Sequence, residues 1–119
     1  MDYSDLHDAE INMKVCAALG LGLSGHARII RQGDATILLD DNETLVDYCN
    51  NPADAWPIIK ENMISICAYK RANPGMKSVS WWEADYFGEH ITRNDNPLRA
   101  AMIVFLLMQE PAYVQDNSA

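Results

Sequence analysis

The sequence has no apolar run long enough to cross a bilayer. The longest, Ala100–Met108, is about half of the roughly 20 residues that a membrane helix requires. A basic leader is also missing: the opening MDYSDLHDAE is acidic where a signal peptide carries positive charge, so neither secretion nor membrane insertion is expected. Cysteine is sparse. Cys16, Cys49 and Cys67 are odd in number and form no C-x-x-C, which fits reduced core thiols better than a disulfide framework or a zinc site. Lys and Arg are outnumbered by Asp and Glu, 9 to 17, for a formal net charge of −8. No basic stripe follows a phosphate backbone, and a net anion is repelled by a polyanion, so direct binding of DNA or RNA is not expected.

Catalytic signatures are absent as well. His7, His26 and His90 are far apart and form no H-x-x-x-H or H-x-x-E-H arrangement, which removes the case for a zinc hydrolase. Asp40-Asp41-Asn42-Glu43 offers oxygen ligands but lacks the Gly and the distal Glu of a calcium loop. The run Gly20-Leu21-Gly22-Leu23-Ser24-Gly25 follows a helix and has no Lys after its last Gly. It therefore reads as a helix stop and linker, where a phosphate cradle would follow a strand. No Gly-x-Ser-x-Gly elbow occurs. The expectation is a protein with no catalytic residue, metal or cofactor, hence not an enzyme.

What is present is a core. At 119 residues and 49% hydrophobic side chains, the chain suffices for one globular domain over residues 1–111, followed by a short polar tail at 112–119. Charge is uneven: residues 1–54 hold ten acids against three bases, and the remainder is nearly neutral. Asp40, Asp41 and Glu43 form a candidate acidic patch for a basic partner protein. The plainer reading of these acids is solubility.

Ser4, with Asp5 and Asp8 behind it, predicts a helix over about 4–20, stopped by Gly20 and Gly22. Two β-branched runs, Ala27–Arg31 and Ala35–Asp40, flank a Gly33-Asp34 hairpin signal. Asn51-Pro52 with Asp54 starts a helix to about Asn62, with a kink or tightened turn expected at Pro57. Strands follow at Ile64–Lys70 and from Ser78 to about Phe87, around an Asn73-Pro74-Gly75 turn. Gly88–Arg93 reads as a continuation, a bulge or a loop. Asn96-Pro97 opens the last helix, which runs to about Gln109 and is apolar on both faces. The predicted class is α+β, in the order α-β-β-α-β-β-α: a mainly antiparallel four-stranded sheet with three helices, layered as an α/β/α sandwich. A last helix that is apolar all round is expected either to form a homodimer or, equally, to turn inward with ordinary exposed apolar atoms.

Three blocks then stand out in order and spacing. They are Ile11-Asn12-Met13-Lys14-Val15-Cys16-Ala17-Ala18-Leu19-Gly20, then Tyr48-Cys49-Asn50-Asn51-Pro52-Ala53-Asp54-Ala55-Trp56-Pro57-Ile58-Ile59, then Asn96-Pro97-Leu98-Arg99-Ala100-Ala101-Met102. Together they resemble the small phage proteins of the NinX type and the related phage ABA sandwich domain. The resemblance implies a phage or prophage accessory protein, working in the cytoplasm of the bacterial host, with helices sandwiching a sheet. Its motifs are structural, so it carries over no catalytic residue.

Candidate binding residues cluster late, in and after the stretch SVSWWEADYF. On a strand, Trp82, Ala84 and Tyr86 share one face, and Trp81, Glu83, Asp85 and Phe87 the other. Trp81, Trp82, Glu83, Asp85, Tyr86, His90, Arg93 and Arg99 combine aromatic, cationic and anionic groups in the manner of a recognition patch. With helices on both faces of the sheet, both indoles are expected to be core anchors, with cover ending beyond Trp82. The expected activity is stoichiometric binding, with a host protein, such as a defence factor, as the partner that is blocked. The alternatives are a binder that sequesters a nucleotide signal, using an aromatic platform and cations, and a nucleotide-degrading enzyme.

Overall fold

The computed structural model describes residues 2–21, 28–29, 35–39 and 43–110. The elements are α1 (Asp8–Ala18), β1 (Arg28–Ile29), β2 (Ile37–Leu38), β3 (Leu45–Val46), α2 (Pro52–Glu61), β4 (Ser65–Arg71), β5 (Val79–Tyr86), β6 (Glu89–Asn94) and α3 (Pro97–Gln109). The class is α+β with three helices and antiparallel pairing, as the sequence predicts. The strands do not form one four-stranded sheet. They form two three-stranded sheets, ordered β1-β2-β3 and β4-β5-β6, because each strand pairs with its chain neighbour and α2 separates the two sets. The predicted tail at 112–119 and the turn at Gln32-Gly33-Asp34 lie outside the described residues.

Two strands are additional to the four predicted: β3, and β6, most of which falls in the Gly88–Arg93 stretch that sequence reasoning leaves open. Phe87 (φ 48°) and Gly88 (φ 82°) are the central residues of a two-residue turn between the paired Tyr86 and Glu89. Positive φ at both positions gives the turn the twist that adjacent antiparallel strands need. The Gly88 amide donates to Asp85 Oδ2 at 2.7 Å, fixing the corner. A register irregularity follows between Ala84 and Tyr86, and His90 (φ 53°) lies on the strand opposite it.

Helix α3 occupies the middle of the molecule. The three strands of the β4-β5-β6 sheet pack on it, as do α1 and α2. Ala100 through Leu106 are buried without interruption, so every side of the helix is covered. An apolar ring of this kind needs cover all round, and the chain supplies it from its own sheet and helices. This bears on two expectations. Among the described residues Ala100–Leu106 are covered by the chain itself, so the apolar ring of α3 supplies no argument for a homodimer. The layers also run sheet, α3, then α1 and α2, so the sheet has α3 on one face instead of helices on both.

Asn caps fix the starts of two helices. Asn51 Oδ1 accepts the Ala53 amide at 3.0 Å, and Asn96 Oδ1 accepts those of Leu98 and Arg99 at 2.9 and 3.2 Å. Pro follows at the first helical position in each case, and α2 runs unbroken through Pro57. Helix α1 starts later than predicted: its cap is His7, whose amide donates to Glu10 Oε1 at 2.9 Å, while Ser4 turns back to Asp2.

The segment before α1 is strapped along α3. At one end, Tyr3 donates its hydroxyl to Glu110 Oε2 at 2.7 Å. Burial, reinforced by this bond, pushes the Tyr3 hydroxyl up to about 12, and the same bond holds the Glu110 carboxyl below its usual range. A depressed carboxylate stabilises the fold above its unfolded pKa and loses that contribution as pH falls. Tyr3→Phe is therefore expected to cost about 1 kcal/mol at neutral pH. The gap from the parent, measured by urea denaturation, should shrink on acidification through the carboxylate range.

Candidate functional site

Strand β5 is the centre of its sheet, and its side chains alternate between a covered and an open face. Ala84, fully buried, lies on the face that α3 covers. Trp81, Glu83 and Asp85 lie on the other face, where the cross-strand partners are Tyr69 opposite Trp81, Cys67 opposite Glu83 and Arg93 opposite Glu83.

These residues form a single cluster. The Tyr69 and Trp81 rings stack with centroids 5.7 Å apart and planes 9° from parallel. The Arg93 guanidinium sits 4.9 Å from the Trp81 ring centroid, diagonal to it across the strands. Glu83 ties the group together: its Oε2 accepts from Trp81 Nε1 at 3.0 Å and from Arg93 Nε at 3.1 Å, and pairs with Arg93 Nη2 at 3.0 Å. From β4 to β6 the order is phenol, indole, guanidinium, standing side by side. Tyr69 remains 42% exposed, and Cys67 beside it is exposed too, which corrects its assignment as a core thiol; Cys16 and Cys49 are buried. A hydrogen bond with Cys67 raises the Tyr69 hydroxyl above its ordinary value.

The structure thus brings together three of the predicted residues, Trp81, Glu83 and Arg93. Asp85 shares their face, but its carboxylate holds the Gly88 turn. Tyr86 lies on the α3 side, half-buried, edge-on to Phe87 at 4.8 Å. Trp82, also on that side, is 36% exposed. Neither indole is a buried core anchor, because the sheet has cover on one face and Trp82 lies near the limit of that cover. His90 is exposed at the strand irregularity, outside the cluster. Of the acidic patch, Glu43 is exposed, while Asp40 and Asp41 lie outside the described residues. Tyr69 and Cys67 are members that sequence reasoning missed. Counting back and forward from the Asn73-Pro74-Gly75 turn pairs Tyr69 with Trp81, and that register was the available signal.

A cavity of about 390 Å³ lies elsewhere, between α2, β3 and the end of α1, lined by residues including Leu19, Val46, Tyr48 and Ile58. Among the described residues its charged lining is Asp54 and Glu61, with no Lys, Arg or His. A phosphate would meet carboxylates there. Among the described residues, no group of three His, Cys, Asp or Glu side chains is placed to hold a metal, and no helix is long and apolar enough to cross a membrane.

A family model described as bacteriophage P22 NinX matches residues 2–109. The chain belongs to the phage NinX family. No curated protein and no solved structure gives a match.

The three blocks that carry the NinX resemblance meet in space at the starts of the three helices. Asn12, wholly buried on α1, donates to the Ala35 carbonyl at 2.9 Å and to Asp47 Oδ1 at 2.8 Å, and accepts the Cys49 amide at 3.1 Å. Asn50 reaches Asp8 Oδ2 at 3.2 Å and both Asp47 oxygens at 3.1 Å. Asn96 donates to the Cys49 carbonyl at 2.7 Å. Arg99 pairs with Asp8 Oδ1 at 2.7 Å and donates to the carbonyls of Leu6 at 2.7 Å and Ser4 at 3.1 Å. In this NinX protein, then, Arg99 belongs to an internal clasp and not to the open-face cluster. Burial, and next the nearby Asp8 charge, push the Cys49 thiol well above its usual range, which suits an inert thiol inside that clasp.

Proposed function

We propose that this phage protein acts by stoichiometric binding, that the open face of the β4-β5-β6 sheet is its contact surface, and that its partner is a host protein whose action it blocks. A host defence factor is the class of partner we favour. The observation that carries the reading is the Tyr69–Trp81–Arg93 row with Glu83 beneath it. It combines the residue types that dominate binding energy at interfaces, and these side chains already contact one another. The same geometry speaks against the nucleotide reading. A base stacks on a free aromatic face, and Trp81 is flanked by Tyr69 and Arg93, while the cavity lining is anionic. It also speaks against catalysis, since Glu83 is committed to Arg93 and the indole, and Asp85 to the Gly88 amide.

Trp81→Ala is expected to leave the fold intact and to weaken capture of the host factor by roughly 30-fold, the scale of a hot-spot truncation. Quantitative pull-down from host lysate measures this, and unchanged capture would move the contact surface elsewhere. Nucleotides and cyclic nucleotides are expected to leave the melting temperature unchanged; an upward shift would favour the sequestering reading instead.

A further inference from the structure

Between Glu61 and Glu83 the chain carries no acid, although the whole protein is strongly acidic. That stretch builds the β4–β5 hairpin. Its turn is closed by the Met76 amide donating to the Asn73 carbonyl at 2.9 Å, with Pro74 and Gly75 (φ 76°) at the centre. Three cations lie at this closed end: Arg71 opposite Val79 on the open face, Lys70 opposite Ser80 on the other face, and Lys77 just after the turn. All three are exposed, and none forms an ion pair among the described residues. Arg71 and Val79 continue the open face that carries Tyr69 and Trp81. Apolar surface is interleaved with the charge, since Met76 is 76% exposed and Val79 is exposed as well.

Solubility does not account for this cluster. Adding cations to a net anion brings its charge closer to zero, the opposite of what keeps a protein dispersed. Unpaired cations bordered by exposed apolar side chains fit a surface that meets negative charge and buries apolar groups together. From this juxtaposition we infer that the closed end of the β4–β5 hairpin receives an acidic segment of the partner protein. The segment crosses the tip of the hairpin, so that its carboxylates meet Arg71 on the open face, Lys77 after the turn and Lys70 on the other face, and an apolar side chain lies against Met76 and Val79. The inference rests on the binding role given above to the open face and names the chemistry of what docks there. Single-stranded nucleic acid is the competing anion. It fits less well, because three cations neutralise few phosphates, the rest of the protein repels a polyanion, and Trp81 offers no free ring face.

The test titrates the whole protein against three labelled probes: a Glu-rich peptide with spaced leucines, its Lys-for-Glu counterpart, and a thymidine oligonucleotide. The acidic peptide is expected to bind in preference to the other two. The combined Lys70→Glu, Arg71→Glu and Lys77→Glu variant, with an unchanged melting temperature, should bind it about tenfold or more weakly, and added salt should weaken the parent in the same direction. An acidic peptide that fails to bind, or that binds parent and variant alike, overturns the inference. Preferential binding of the oligonucleotide overturns it too, in favour of nucleic acid. The binding role of the open face is judged separately by Trp81→Ala. If that change abolishes host-factor capture while the charge-reversed variant captures normally, the open face stands and the acidic segment falls.

Discussion

Asn12→Leu is expected to cost about 4 kcal/mol, a large part of the roughly 5–15 kcal/mol that holds a domain of this kind together. Leu keeps the branched shape of Asn but is bulkier, so lost polar satisfaction is joined by some overpacking at this buried site. The change strands the buried Cys49 amide and takes one donor each from the half-buried Ala35 carbonyl and Asp47 Oδ1, the latter keeping Asn50. Each buried group so stranded costs about 1–3 kcal/mol. Urea denaturation followed by tryptophan fluorescence measures the effect, and a cost below about 1 kcal/mol would mean that the network relaxes around the gap. Asn12→Asp gives a companion test with a pH signature. It sets a buried carboxylate against Asp47, so the new group's folded pKa is raised, and the destabilisation is greatest at neutral pH and eases as pH falls.

Arg99→Ala is the second large effect, expected to cost about 3 kcal/mol. The side chain of Arg99 is 12% exposed and holds Asp8 through one nitrogen and the Ser4 and Leu6 carbonyls through the other. Removing it strands a partly buried carboxylate and releases the segment before α1 from the first turn of α3. Besides a lower denaturation midpoint, faster hydrogen exchange at the amides of residues 4–8 is expected. Arg99→Lys should recover only part of the loss, because a single ammonium cannot reproduce the planar fork. Host-factor capture by Arg99→Lys should match the parent. Weakened capture at unchanged stability would instead return Arg99 to the binding surface, where its sequence context first placed it.

Residue chemistry of a local kind was legible in the sequence. The Asn-Pro helix starts declare α2 and α3, because both the cap and the fixed φ of proline act within a few residues. The ring of apolar residues around α3 was legible too, but its meaning was not. Periodicity says that a helix is covered on all sides without saying whether its own chain or a second copy covers it. Residues 88–93 stay open between continuation, bulge and loop because Phe87-Gly88 is an unusual pair for a turn with two positive φ values, one of them on a bulky residue. The site was half legible. Trp81, Glu83 and Arg93 carry chemistry that shows in one strand and its exit, whereas Tyr69 joins them only through cross-strand register, and Arg99 leaves them only because α3 faces Asp8.

The central position of α3 also bears on how the protein is made. Every element that packs on this helix precedes it in the chain, so α1, α2 and the β4-β5-β6 sheet leave the ribosome before the surface they are to bury themselves against. The faces they turn to α3 have no complement until residues 97–109 emerge. The growing chain therefore has little to gain by folding in parts, and it should remain open to chaperones and proteases through most of its synthesis. Native structure then arrives in one late step, when α3 becomes available and the N-terminal strap closes over it.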